Sequence, residues 1–333
     1  MTEPTSSLAR NVAIFDAGAH VTAAAFLGDA PAFALGDGAL LLGEPGATRR
    51  VVAHPGGAIL TAAGDGALLV TGGDDGRVMA TSPDGEAREI AHEKGRWIDA
   101  LALREGRIAW AAGREARVRD VGGAVKSHQA PTTVRGLCFL PKGFRLALAH
   151  YNGVSLWFPN VAAAPVLLEW KGSHLDVVAA PDGRFVVSSM QENALHGWRI
   201  ADSRNMRMSG YPKKSRSLSW SHDGAWLATS GADACIVWPF RDKDGPMGKA
   251  PRECGVRPVK VSQVAFHPRT LVVAVGYEDG FLLLCRLGDA AEILVREPRP
   301  GDGAVTALAW DAIGARLAFG LDSGGAGLLT LPA

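Results

Sequence analysis

Short runs of alternating apolar and polar residues begin at residues 21, 58, 98, 134, 175, 216, 261 and 305, so their starts lie 36 to 45 residues apart. The runs at 21–26, 58–63, 98–103, 134–139, 175–180, 216–220, 261–266 and 305–310 read as strands, because successive side chains on a strand point to opposite faces. A mean period of about 41 residues makes each period one supersecondary unit, which cannot bury its apolar face alone and must stack on copies of itself. A helical reading fails, because long windows with an apolar 3.6-residue period are interrupted by Gly or Pro.

The clearest copy is 215–240, SRSLSWSHDGAWLATSGADACIVWPF. Arg216 to Trp220 alternates, Ser221-His222-Asp223-Gly224 supplies a tight turn, and Ala225 to Ser230 forms a second strand. Ala232-Asp233-Ala234 turns the chain again into a third strand carrying Trp238. Matching turn signals fall at both positions in the other periods, such as Gly64-Asp65-Gly66 and Asp75-Gly76, or Pro181-Asp182-Gly183 and Asn193. The expected fold is all-β, a single propeller of eight four-stranded blades, with seven blades as the alternative count. Residues 327–331 form a third strand with no fourth after it, while 11–16 is a strand without a unit. Pairing the two covers an otherwise open edge. Residues 1–10 are expected as a flexible tail and 11–333 as one domain.

The units resemble WD40 repeats, whose blades end the third strand in Trp-Asp. Trp157, Trp198 and Trp238 stand at the Trp position, although Phe158, Arg199 and Pro239 replace the Asp. The resemblance implies a buried hydrogen-bonded set of His, Ser or Thr, Asp and Trp in each well-kept blade. It assigns His174, Ser189 (or Ser188), Asn193 and Trp198 to the fifth unit, His128, Asn152 and Trp157 to the fourth, and Thr229 (or Ser230), Asp233 and Trp238 to the sixth. Leu42, Ala80, Cys285 and Leu328 occupy the Trp position elsewhere, so the motif is degenerate over half the chain.

With 47% hydrophobic and 21% charged residues the chain is globular, and 35 basic against 34 acidic residues give no global attraction to nucleic acid or anionic membrane. The start lacks a signal-peptide pattern and no run approaches the roughly 20 apolar residues of a membrane span. A cytoplasmic location is expected. Cys138, Cys235, Cys254 and Cys285 lack C-x-x-C spacing and read as free thiols in a reducing compartment.

His20, His54, His92, His128 and His174 all precede an innermost strand. Equivalent positions on sheets about 10 Å apart cannot share an ion that needs nitrogens about 2 Å away, so they read as structural. His222 and His267 read as residues of solvent-exposed turns. The Gly-Asp-Gly repeats lack the ligand ladder of a calcium loop and the Lys-Ser or Lys-Thr of a phosphate loop, and no nucleophile elbow or H-E-x-x-H occurs. No cofactor, metal site or enzyme activity is expected. The loops leading into the innermost strands share a face with the turns between second and third strands, and together they gather basic and aromatic residues. Trp97, Arg135, Tyr151, Lys214, Arg216 and Tyr277 are the expected contacts for a protein or peptide partner, because Trp, Tyr and Arg are the usual anchors. The long connection 241–256 is a second place where function can attach. The chain is thus expected to be a non-catalytic docking platform, monomeric outside a complex. The alternatives are a small-ligand site, metal-handling accessory or enzyme in the axial funnel, and, more weakly, a nucleic-acid binder using Lys213-Lys214-Ser215-Arg216 with Arg49-Arg50.

Overall fold

The strands pair as expected from the alternating runs, and the fold is a β-propeller built from seven sheets, with seven blades counted. The computed structural model describes residues 6–332. Eight strand sets occur in order, yet eight separate blades are not confirmed, and the difference lies at one strand. Val166–Ala179 runs for 14 residues. Its first part pairs with the third strand of repeat four, and its last part with Phe185–Met190 of repeat five. Repeats four and five therefore merge into a single six-stranded sheet. No turn interrupts 170–173, where Gly172 at φ +132° lets the chain swing while a Cβ there would meet Met190 Cε at 2.6 Å.

Packing divides the chain into two compact bodies, Met1–Val52 with Ser215–Ala333, and Ala53–Lys214. The first holds repeats one, six, seven and eight, around Phe33, Phe240, Tyr277 and Phe319; the second holds repeats two to five, around Trp110, Phe185 and Trp198. In the first body Val12–Asp16 pairs antiparallel with Gly325–Thr330, from Val12 opposite Leu329 to Asp16 opposite Gly325. The N-terminal segment thus supplies the outer strand of the last repeat. The expectation of a loose tail over 1–10 needs correction where residues are described. Ser6 and Ser7 pair in parallel with Ile293 and Leu294, and the Leu8 N–H donates to the Leu294 carbonyl at 2.7 Å. The unpaired outer edge of repeat seven offers backbone groups that this segment satisfies. Residues 1–5 lie outside the described part.

Within each body, neighbouring sheets approach through a recurring joint. The innermost strand begins with a register shift, between Val261 and Gln263, or Val305 and Ala307. The extra residue of such a bulge leaves the ladder. In these two it is Ser262 or Thr306, whose hydroxyl donates to the first carbonyl of the adjoining innermost strand, Ser262 to Val305 O at 2.7 Å and Thr306 to Val21 O at 2.6 Å. Opposite the bulge stands a glycine. A Cβ at Gly276 would lie 2.6 Å from Val305 Cβ, one at Gly320 2.5 Å from Val21 Cβ, and one at Gly72 2.6 Å from the Ile98 carbonyl oxygen. Only glycine leaves room for the neighbouring sheet.

Gly320→Ala should therefore lower stability by about 1–3 kcal/mol through overpacking, measured by denaturant unfolding. Gly288→Ala, at a position with nothing within 4 Å of an added Cβ, should leave the midpoint almost unchanged.

Candidate interaction site

The loops that lead into the innermost strands of the second body are pinned to the turns between second and third strands, so both stand at one end of the sheets. The Ala58 N–H donates to Asp74 Oδ1 at 2.7 Å, Ile98 N–H to Gly73 O at 3.0 Å, Val134 N–H to Gly113 O at 2.9 Å, and Gln191 N–H to Ser173 O at 2.9 Å. Trp97 projects from the loop 93–99 and is 67% exposed. Beneath it the loop is anchored by Glu93, whose Oε1 accepts from Trp110 Nε1 at 2.9 Å and from Arg117 Nη1 at 2.6 Å. Arg135 on the next loop reaches back to Asp99 at 2.6 Å. Tyr151 is 50% exposed, its backbone N–H held by Thr132 Oγ1 at 2.9 Å. Trp97 and Arg135 thus stand on neighbouring loops of one body, and Tyr151, within the strand Leu146–Trp157, is hydrogen-bonded to the second of them.

Lys214 is half-buried, and Arg216 is exposed with its backbone N–H on Ser230 Oγ at 3.1 Å. Tyr277 does not belong to the surface set. It is fully buried, its hydroxyl donates to the Gly255 carbonyl, and burial pushes its phenol pKa up. A tyrosine at the last position of Val272–Tyr277 still lies on the alternation that faces the core, where Phe281 packs edge-on at 5.8 Å.

The hydrogen-bonded histidines differ in detail from those implied by the resemblance. The most complete set lies in repeat two, in a unit that lacks the Trp: His54 Nε2 meets Thr71 Oγ1 at 2.8 Å and Nδ1 meets Asp75 Oδ1 at 3.0 Å. The signal was present in the spacing from His54 to Thr71 and Asp75, but Ala80 at the Trp position hid it. In repeat five His174 Nδ1 meets Ser188 Oγ at 2.6 Å, so Ser188 is the partner, while Ser189 Oγ has none among the described residues. Adjacent strand residues face opposite sides, and only one of the two serines can reach the ring. Asn193, at φ +53°, instead donates through Nδ2 to Pro212 O at 3.2 Å.

In repeat four the buried pair is His150 with Ser155, at 2.8 Å, which sequence reading missed. His128 belongs to the outer strand Val125–Gln129 of repeat three and packs its ring against Trp157 at 5.7 Å. Asn152 accepts from the Gly172 N–H at 3.2 Å. In repeat six the Thr229 hydroxyl donates to Ile236 O at 3.0 Å, while the Asp233 side chain is exposed and 3.9 Å from Lys260. Without a histidine nothing draws that carboxylate inward. Trp157, Trp198 and Trp238 are buried, but Trp198 Nε1 has no hydrogen-bond partner among the described residues, so it does not complete a hydrogen-bonded set. His267, expected in an exposed turn, is buried. Its Nδ1 accepts from the N–H groups of Arg269 and Thr270, so Nε2 carries the proton and donates to Gly314 O at 3.0 Å.

The innermost strands of repeats four and five bring Asp176 beside Gly136 and Cys138. Burial pushes Asp176 up to about 6 and Cys138 up to about 12, which keeps that thiol protonated at neutral pH. Among the described residues no group of three His, Cys, Asp or Glu could hold a metal ion, and no helix is long and apolar enough to cross a membrane, which says nothing of membrane β-barrels.

This is the fold of a β-propeller. Residues 205–238, from the outer strand of repeat five to Trp238, match the model of the WD40 family, WD domain, G-beta repeat. The crystal structure of the computationally designed Ika8 protein is similar in fold, with a TM-score of 0.78 and 18% identity over 95% of this chain and 98% of that one. No curated protein matches the sequence.

Burial drives the His196 pKa down to about 3, and it lowers those of His150 and His174 as well. An unfolded histidine takes up its proton near pH ~6.5. The native protein should hold its full histidine-dependent stability above that pH and lose it as the pH falls, by about 1.4 kcal/mol per pH unit for each excess proton bound by the unfolded chain. Denaturant unfolding between pH 7.5 and 5 should show this decline, and His196→Phe should make it shallower by about one proton.

Proposed function

We propose that the protein is a non-catalytic docking platform that binds a protein or peptide partner through the loops leading into the innermost strands, with residues 11–333 acting as one domain in the cytoplasm. The observation that carries this reading is Trp97. A tryptophan left 67% exposed on a loop that is fastened by Glu93 and bordered by the Arg135–Asp99 ion pair is a rigid apolar anchor beside a positioned charge. Trp and Arg dominate binding hot spots, and a loop already held in place loses little conformational entropy on binding. The WD40 match in 205–238 supports the same general role. Arg135, Tyr151, Lys214 and Arg216 extend the surface within their respective bodies, and the fully buried Tyr277 stiffens its own sheet.

Affinity purification with the wild-type protein and with the Trp97→Ala/Arg135→Glu variant tests this. The variant should recover partners at roughly tenfold lower yield or less, since loss of a single hot spot costs about 2 kcal/mol or more. Recovery of the same proteins in the same amounts assigns the function to another surface.

A further inference from the structure

The chain carries a pocket in repeat five that the histidine sets and the Trp97 surface do not use. Trp170, Lys171, Met190, Glu192, Ala194 and Arg207 line a cavity of about 290 Å³. All six lie in the second body, at the uninterrupted passage of Val166–Ala179 and the turn after Phe185–Met190. Met190 and Ala194 are buried and make an apolar floor. Trp170 forms a wall, its indole stacked on His196 with ring centroids 3.9 Å apart. His196 is fully buried, and neither ring nitrogen has a hydrogen-bond partner among the described residues. Since burial keeps that imidazole neutral at physiological pH, the wall brings no charge of its own.

The charges stand at the rim. Lys171, Glu192 and Arg207 are all exposed. Glu192 is fixed in place, accepting the Ser173 N–H through Oε1 at 3.2 Å, whereas Arg207 and Lys171 form no ion pair among the described residues. Many arginines of this chain, such as Arg135, Arg184 and Arg199, are neutralised by a carboxylate within 4 Å. The pocket thus offers two unpaired cations, one acceptor already oriented by the backbone, and an aromatic and thioether lining.

We infer that this pocket binds an acidic segment of a partner polypeptide, with a carboxylate side chain between Lys171 and Arg207 and an adjacent apolar side chain against Trp170 and Met190. Glu192 then accepts a backbone N–H of the segment. Complementary charge sets the sign of the partner, because a basic segment would meet two like charges. Size sets its kind: pockets that enclose a small molecule span about 300 to 1,000 Å³, and a cavity at the lower limit with an exposed rim suits one or two side chains of a chain that continues along the surface. The inference rests on the docking reading and adds a second subsite to it, with its own chemistry.

Fluorescence anisotropy with three labelled octapeptides sharing a Leu-X-Phe-X core, X being Glu, Gln or Lys, tests it. The Glu peptide should bind, the Gln and Lys peptides at least about tenfold more weakly, and binding of the Glu peptide should weaken as salt rises. Lys171→Gln/Arg207→Gln should reduce affinity for the Glu peptide about tenfold or more while leaving thermal unfolding unchanged, because both side chains are exposed and form no ion pair. Equal binding of all three peptides, no binding of any at millimolar concentration, or wild-type affinity in the double variant overturns the inference. So does free glutamate binding as tightly as the Glu peptide, which marks a small-molecule site. If Lys171→Gln/Arg207→Gln binds normally while Trp97→Ala/Arg135→Glu loses its partners, the pocket assignment falls and the docking reading stands. If the converse holds, the pocket is the partner's main site.

Discussion

The closeness with which one sheet approaches the next governs this structure. Where the innermost strand bulges at Ser262 and Thr306, a hydroxyl crosses to the first carbonyl of the adjoining innermost strand, and Gly276 and Gly320 give that strand's first side chain the space a Cβ would fill. A hydrogen bond of this kind contributes only about 1 kcal/mol, but it links the first residues of neighbouring innermost strands. The glycine is the stricter requirement, since a Cβ 2.5–2.6 Å from the neighbouring strand forces one of the two to shift, at about 1–3 kcal/mol. A sheet held this way carries its loops in a fixed position.

The loops are fixed in turn. The loops leading into the innermost strands are fastened to turns of the same end by hydrogen bonds, and buried histidines add ties from within. His54 joins its loop to Thr71 on the second strand and to Asp75 in the turn, His174 joins Val166–Ala179 to Ser188 on the next strand, and His150 meets Ser155 within Leu146–Trp157. Burial keeps His150, His174 and His196 neutral, so the ties hold at neutral pH and the charge of the surface comes from lysine, arginine and carboxylate at the rim. The arrangement separates two tasks. Buried polar groups stiffen the loops, and aromatic and cationic groups such as Trp97 and Arg135 stand exposed on them.

Much of the architecture was legible because strand alternation and turn residues repeat in register. The first strands at 261–266 and 305–310 coincide with Val261–Phe266 and Val305–Trp310, and the pairing of residues 11–16 with the last strand follows from an edge that had to be covered. The site was less legible. Tyr277 looks like a surface tyrosine in a turn until the alternation of its strand is extended by one residue, which places it in the core. Ser188 and Ser189 are equivalent in sequence, and only the direction of each side chain distinguishes them. His54 with Thr71 and Asp75 escaped notice because the expected tryptophan was absent, although the hydrogen bonds do not require it.

The amino-acid sequence by itself determined the all-β class, the period, the turn positions and the borrowed N-terminal strand, because each depends on local alternation and on residues suited to tight turns. Tertiary structure decided what depends on separation in space. It merged repeats four and five into one sheet through Gly172, turned Tyr277 inward, tied down Ser6 and Ser7, and gathered Trp170, Met190, Glu192 and Arg207 around one cavity. Those residues come from three different strands and a turn, and no spacing along the chain encodes the distance between side chains that meet only when neighbouring strands pack.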